Sequence, residues 1–311
     1  MNALHEVVRD ATAGDPVSGL RWTHKTTRNI AGALQRQGFA VSHTTVARLL
    51  RQSGYSLRTN RKTRARVHDP DRDRQFRFIA RQRQYFLRRG WPVLSVDTKK
   101  KELVGDFKNT GTCWRAEPLE VLDHDFPSDA VGRAIPYGLY DQGADQGYLV
   151  VGTSRETPAF GAAAVRRWWL ACGRRRYPGA TRLLIEADCG GANGNRSWGW
   201  KAGLQRLADE FGLTITVAHY PPGASKWNRI EHRLFNRISA NWAGQPLVSY
   251  ETVLNFIRTT KTASGWCCEA ELDTTEYPAK QAISEEQKRR IRIKRHRTLP
   301  KWNYTIYPRR K

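Results

Sequence analysis

The sequence predicts an α/β core preceded by an all-α helix-turn-helix segment. Three observations carry this prediction. The pattern changes at residue 91 from basic helical stretches to alternating strands and helices. Two apolar strands of the second part each end in an aspartate. The charge divides the chain at the same place: residues 1–90 hold 19 Lys/Arg and 6 Asp/Glu, residues 288–311 hold 11 and none, and residues 91–287 hold 23 of each. A neutral centre thus lies between flanks of net +13 and +11.

With 311 residues, 39% of them hydrophobic, the chain has material for a sizeable core. Its net charge of +24 far exceeds the roughly 2–8 that solubility asks of a small domain. Two cationic flanks suit a phosphate backbone, where each neutralised phosphate releases counterions, so nucleic acid is the expected partner. No run of about 18 apolar residues is present, and no membrane partner is expected. The N-terminus lacks the basic-then-apolar pattern of a secretory signal. Five cysteines without a C-x-x-C pair form neither a disulfide framework nor a zinc ribbon, and the expected location is the reducing cytoplasm.

The elements follow in order. Ile30, Ala33 and Leu34 share a helical spacing that ends before Gly38. Ser42 is placed to cap a second helix with Val46, Leu49 and Leu50 as its apolar stripe. Off that stripe lie His43, Thr44, Thr45, Arg48, Arg51 and Gln52, which suit a major groove; an ordinary helical hairpin with a solvated polar face is the alternative. A basic arm follows, with Arg58, Arg61, Lys62, Arg64 and Arg66, suited to a DNA backbone or minor groove. Residues 1–66 are therefore expected to form the DNA-binding segment. Residues 67–90 are expected to be a basic linker helix, with Phe76, Ile79, Tyr85 and Leu87 among its arginines.

In the core, residues 91–287, strands are expected at 92–97, around 111–116, at 137–140, 147–152, 182–188 and 213–219. Helices are expected at 158–172, opened by Pro158, at 198–211, and at 225–241 with Trp227, Ile230, Leu234 and Ile238 on one side. Residues 288–311 read as a basic tail, either clamped on DNA through its aromatics or without order.

Asp97 and Asp188 each close an apolar strand, and Glu231 borders the apolar stripe of its helix. A strand-end aspartate is commonly a turn or cap residue, and a helical glutamate is commonly in a salt bridge. Taken together, two strand-end aspartates and a helical glutamate form an oxygen-donor set for hard divalent cations beside phosphates.

These residues carry a resemblance. Ser95-Val96-Asp97-Thr98-Lys99-Lys100-Lys101-Glu102-Leu103-Val104-Gly105-Asp106-Phe107-Lys108-Asn109 closely resembles the first catalytic block of the Rhodopirellula-type DDE transposases of bacterial insertion sequences. Ala187-Asp188-Cys189-Gly190-Gly191-Ala192-Asn193-Gly194-Asn195-Arg196 resembles the second block, and the stretch from Pro221-Pro222 through Asn228-Arg229-Ile230-Glu231-His232 to Phe235 resembles the third. Similarity runs from about Gly14 to Tyr307.

The resemblance implies a ribonuclease H-like mixed sheet flanked by helices, in which Asp97, Asp188 and Glu231 hold two Mg²⁺ or Mn²⁺ ions. It further implies cleavage at transposon ends and attack of the freed 3′-OH on target DNA. The partners implied are double-stranded DNA, as terminal repeats and target, and a second copy of the chain in a homodimer or larger synaptic complex.

Lys99, Lys100 and Lys101 are placed against DNA phosphates or, equally, in solvent. The loop holding Asn193 is placed close to DNA or is a plain turn, and Lys226 and Arg229 are further DNA candidates. Glu102, Asp125 and Glu186 are acids without an assigned role. Family members carry a further helical DNA-binding stretch, whereas Met1 stands fourteen residues before Asp15. A truncated or inactive remnant that only binds DNA is therefore the second expectation. A nuclease that joins no ends is the third.

Overall fold

A computed structural model describes residues 2–9, 12–14, 21–23, 25–57, 69–279 and 281–309. The chain divides into two compact units, Met1–Arg64 and Ala65–Lys311.

The first unit begins with helix α1 (Asn2–Arg9) and a short antiparallel pair, β1 (Thr12–Gly14) and β2 (Arg21–Thr23). Helices α2 (Thr27–Arg36) and α3 (His43–Gln52) follow, as the periodicity predicts. Thr26 caps α2 by accepting from Asn29 N, and Ser42 caps α3 by accepting from Thr45 N at 3.2 Å. Ile30, Ala31, Leu34 and Val46 pack with Leu4, Val7 and Val8 of α1 into one small core. Leu49 and Leu50 sit half-buried at its rim, and Ala31 rather than Ala33 is its small central residue. The basic arm carrying Arg58, Arg61, Lys62, Arg64 and Arg66 lies outside the described residues.

The second unit opens with α4 (Arg72–Arg88). It is not a linker. Phe78, Ile79 and Phe86 pack against Val93, Leu184, Ala218 and Tyr220, and the Gln75 amide donates to the His219 carbonyl at 2.7 Å and exchanges hydrogen bonds with the Asn303 side chain. The buried stripe is set by the helical phase of residues 75, 78, 79 and 86, which leaves Tyr85 and Leu87 exposed.

The sheet is built from β3 (Val93–Thr98), β4 (Glu102–Val104), β5 (Gly132–Asp141), β6 (Gln146–Gly152), β7 (Arg182–Ala187), β8 (Thr214–His219), β9 (Cys268–Asp273), β10 (Ile293–Arg295) and β11 (Asn303–Ile306). Its order is β10-β11-β8-β7-β3-β5-β6-β9, with β4 paired to β5. At the centre, β6, β5 and β3 run antiparallel by neighbours, while β3, β7 and β8 run parallel. This is the mixed, ribonuclease H-like sheet expected.

The parallel strands are linked by helices that cover one face: α5 (Pro158–Trp168), continued by a π turn (Trp169–Gly173) and α6 (Arg174–Arg176), and then α7 (Trp198–Phe211). Phe160, Val165, Trp168, Trp200 and Leu204 form the main core there with Leu94, Val96 and Ile185. On the other face Ile230, Leu234 and Ile238 pack with α9 (Tyr250–Thr259) over Leu149 and Val151. The segment that brings these residues is not one continuous helix. It runs through a 3-10 turn (Ser225–Trp227), a π turn (Glu231–Phe235) and α8 (Asn236–Asn241), and Trp227 stands exposed off the stripe.

Two further expectations fail. Residues 111–116 form no strand: the backbone there starts from Gly111 in the left-handed region and the side chains are exposed, so the strand of this stretch is β4, nearer the start. The basic C-terminal stretch is no loose tail. After α10 (Glu285–Arg289), β10 and β11 extend the sheet beside β8, and Tyr304 and Ile306 are buried in the main core. Among the described residues no helix is long and apolar enough to cross a membrane.

Candidate active site

Val96 of β3 lies opposite Ala187 of β7 in a parallel pair. The next residue on each strand is therefore Asp97 and Asp188, placed side by side at the carboxyl ends of two adjacent central strands. That edge is where open α/β sheets form their crevices. Apolar side chains on the strands anchor both positions from below: Leu94, Val96, Leu183 and Ile185 are fully buried.

Glu231 is brought to this edge by a buried clamp. Asn228 is completely buried; its Oδ1 accepts from Ser95 Oγ, and its Nδ2 donates to the Val96 carbonyl at 3.3 Å and to Asp188 Oδ1 at 3.2 Å. Ser95 Oγ in turn accepts from Ile230 N at 3.2 Å. Asp97 pairs in register with Gly138 of β5, where a Cβ would stand 2.5 Å from the Phe235 ring and 2.9 Å from Ile230. The missing side chain lets the Glu231 segment lie directly on the sheet.

Asp188 is held through its backbone as well. Its carbonyl accepts from His219 Nδ1 at 2.8 Å and from Asn193 Nδ2 at 3.3 Å. His219 Nε2 stands 3.2 Å from the Tyr304 hydroxyl, so an imidazole donating at Nδ1 accepts there. Burial pushes this imidazole down to about 4 and keeps it neutral. Asp97 Oδ1 accepts from Thr98 N at 2.8 Å.

Burial raises the pKa of Asp97, and the charges of Asp188, Glu231 and Glu156 raise it further. Asp188 is also raised, by burial first and by Glu231, against the hydrogen bond from Asn228. Burial raises Glu231, with His232 and Lys99 pulling the other way. Among the described residues none of these three carboxylates has an ion-pair partner. Nor do any three acidic, imidazole or thiol groups among those residues stand in ligating geometry. The donor chemistry nevertheless suits a hard divalent cation, because three carboxylates lie near enough for the charges of Asp188 and Glu231 to raise Asp97, and none has an ion-pair partner among the described residues.

The other expected contacts divide. Lys100 is exposed at the cleft, and Lys226 and Arg229 are exposed on the Glu231 segment, the Lys226 ammonium lying 4.2 Å over the Trp227 ring. Lys101 is exposed but paired with Glu156 at 2.9 Å. Lys99 is buried at the cavity's edge, with its ammonium 2.9 Å from Glu102 and 4.4 Å over the Trp242 ring, because its backbone is still bonded to the sheet through Pro136 O. Asn193 is buried in the turn after β7, where its amide donates to the Asp188 carbonyl. In the first unit His43, Thr44, Arg48 and Arg51 are exposed and Thr45 is half-buried; the Thr44 and Thr45 hydroxyls bond to Ser42 Oγ.

Of the unassigned acids, Glu102 is taken by Lys99 and Asp125 is exposed. Glu186 receives two bonds from Arg83, at 2.8 and 2.7 Å, and others from Gln142 and Tyr220. Asn228, Ser95, His219 and Glu156 are site residues absent from the sequence expectations. Two had a signal: Ser95 lies two residues before Asp97 on the same strand face, and Asn228 lies one helical turn before Glu231.

Asp188 and Gly190 form a wall shared by two cavities. One, of about 560 Å³, holds Asp97, Glu156, Lys100, Lys101 and Arg133. The other, of about 840 Å³, is lined by Arg196, Lys201, Arg295 and Lys301. Cationic walls on both sides of an acidic edge suit a phosphate backbone laid across it.

The family model described as Rhodopirellula transposase DDE domain matches residues 3–308. No curated protein matches the chain. Among solved structures the chain is similar to that of the Mos1 transposase paired-end complex with left transposon end, at 15% identity and a TM-score of 0.45 over 75% of this chain and 65% of that one. It is also similar to the Mos1 mariner paired-end complex with Mn, at 14% identity and a TM-score of 0.44 over 82% and 69%. The chain thus spans 65% of the length of the first of these relatives.

Proposed function

The chain belongs to the Rhodopirellula transposase DDE-domain family, and from that premise we propose that it cleaves DNA at the ends of an insertion sequence and joins the freed 3′-OH to target DNA. The observation that carries this reading is the pairing of Asp97 and Asp188 at the ends of neighbouring parallel strands, with Glu231 on a segment that Asn228 fastens to both strands.

Asp97, Asp188 and Glu231 are the residues that would hold two Mg²⁺ or Mn²⁺ ions. When bound, such ions supply positive charge that activates a water or 3′-OH and stabilises the leaving oxygen. Everything else falls to the chain. Ser95, Asn228 and the His219–Asp188 carbonyl bond fix the acids, so the reacting phosphate meets a preset arrangement. His219 takes no proton, since both its nitrogens are engaged and burial holds it neutral. Lys100, Arg133 and Arg196 offer charge to the flanking phosphates.

The exposed face of α3, with His43, Arg48 and Arg51, would contact the terminal repeats, and Lys226 and Arg229 the DNA near the cleft. Because two ends must be joined to one target, the working form would be a homodimer or larger synaptic complex on double-stranded DNA, at the cytoplasmic nucleoid.

The test uses purified chain, labelled DNA carrying the flanks of its own gene, and Mg²⁺ or Mn²⁺. Metal-dependent nicking at the ends with joined products, lost in Asp188→Asn and Glu231→Gln, is the expected result. Salt-sensitive binding without any cleavage would instead support a remnant that only binds DNA, and cleavage without joining would support a nuclease.

A further inference from the structure

Glu156 belongs to none of the three catalytic blocks, yet it lines the same cleft as Asp97 and Asp188. It immediately precedes Thr157, the cap of α5. One carboxylate oxygen stands 2.9 Å from Lys101 Nζ, four residues past Asp97. The other accepts from Ala192 N at 3.3 Å, four residues past Asp188. A single side chain from a third element therefore fastens the two loops that trail the two aspartates.

The second loop is shaped around this carboxylate. Gly191 has φ +63°, and a Cβ there would lie 2.6 Å from Glu156 Oε1. Any side chain at 191 would be strained in its backbone and would push the carboxylate away. The tie also has a route to Asp188. Asn193, next to Ala192, donates to the Asp188 carbonyl and receives the Tyr137 hydroxyl at 3.4 Å. The two arms differ in strength. Lys101 is 41% exposed, so its ion pair is worth little by itself, whereas Ala192, whose amide bonds the other oxygen, is fully buried.

We propose that Glu156 is a positioning residue of the active site: by holding the loops after Asp97 and Asp188 together it sets the placement of the two aspartates, and with it their affinity for a divalent cation. The cation half of this inference rests on the function proposed above. The tie itself does not.

The test pairs a metal-free readout with a metal-binding one. In the metal-free protein, Glu156→Ala speeds hydrogen–deuterium exchange in the peptide spanning residues 189–194, while Glu156→Gln, which keeps an amide acceptor of the same shape, restores most of the protection. By calorimetric titration with Mn²⁺ alone, Glu156→Ala weakens binding about 10- to 100-fold, the range seen when groups supporting metal ligands are removed. Glu156→Gln and Lys101→Met, each removing only the ion pair, give smaller losses. Unchanged exchange at 189–194 in Glu156→Ala overturns the proposal, as does unchanged Mn²⁺ affinity in a chain whose unmutated form binds Mn²⁺. Faster exchange in a protein that binds no Mn²⁺ even unmutated upholds the tie and overturns the metal reading instead. Should Glu156→Ala fail to fold, Glu156→Gln carries the comparison: Mn²⁺ binding weaker than that of the unmutated chain supports the proposal, and affinity equal to the unmutated chain overturns it.

Discussion

Glu186 and Asp188 stand two residues apart on one strand, and their surroundings are opposite. Glu186 is completely buried and fully matched: Arg83 bonds both of its oxygens, and Gln142 and Tyr220 complete the shell. Asp188 is less buried, receives one side-chain hydrogen bond from Asn228, and faces Glu231 and Asp97 without a counter-charge. Burial alone does not separate a structural carboxylate from a working one. The partner does. A matched acid stabilises the packing of α4 on the sheet, while an unmatched pair at the sheet edge stores repulsion that a bound cation would relieve.

The largest effect that sharpens this comparison is expected at the matched acid. Arg83→Met leaves Glu186 buried without its cation and should cost about 3–5 kcal/mol of stability in urea unfolding. A loss below about 1 kcal/mol would mean that Glu186 is not dependent on Arg83. Next comes the clamp between the two regions. Asn228→Ala leaves the Ser95 hydroxyl proton without its acceptor and removes the one side-chain bond to Asp188, which should cost about 1–3 kcal/mol and abolish end cleavage at full DNA binding.

A third effect has the opposite sign. An acid whose folded pKa is raised costs nothing below its unfolded value near 4, and it costs progressively more as the pH climbs toward the folded value. The metal-free chain should therefore lose stability from about pH 4 upward through Asp97 and Asp188. Asp97→Asn should remove part of that loss and be the more stable protein at pH 7, by about 1.4 kcal/mol for each unit of displacement it abolishes. Thermal unfolding across pH 4–8 checks this, and parallel curves for the two proteins would contradict it.

Much of the fold was legible, and the reason is periodicity. Strands β3, β5, β6, β7 and β8 and helices α5 and α7 announce themselves by apolar runs and caps, and the acids at the ends of β3 and β7 follow from them. What stayed hidden lacked such a pattern. Strand β11, Asn-Tyr-Thr-Ile, sits in a stretch dense with cations, although all four of its residues are buried. Strand β9 carries an exposed Glu269 and a half-buried Glu271 between its buried ends, so it reads as a charged segment. Lys99 looked like one of three lysines set against DNA phosphates or solvent, but the sheet's inward path continues one residue beyond Thr98. Asn228 could be placed near Glu231 by its spacing, but its clamp could not be read, because its partners lie 40 to 133 residues away and only folding brings them together.

The central claim is that Asp97, Asp188 and Glu231 are unmatched because they await a divalent cation. Thermal unfolding in rising Mn²⁺ concentration tests it most directly, for the unmutated chain, Asp97→Asn, Asp188→Asn and a Glu186→Gln control. The account predicts a Tm that climbs with Mn²⁺ in the unmutated chain and in Glu186→Gln, by about 2.7 kcal/mol of added stability at a hundredfold excess over Kd, and no climb in the two aspartate variants. An equal climb in Asp188→Asn, or none in the unmutated chain, would contradict it.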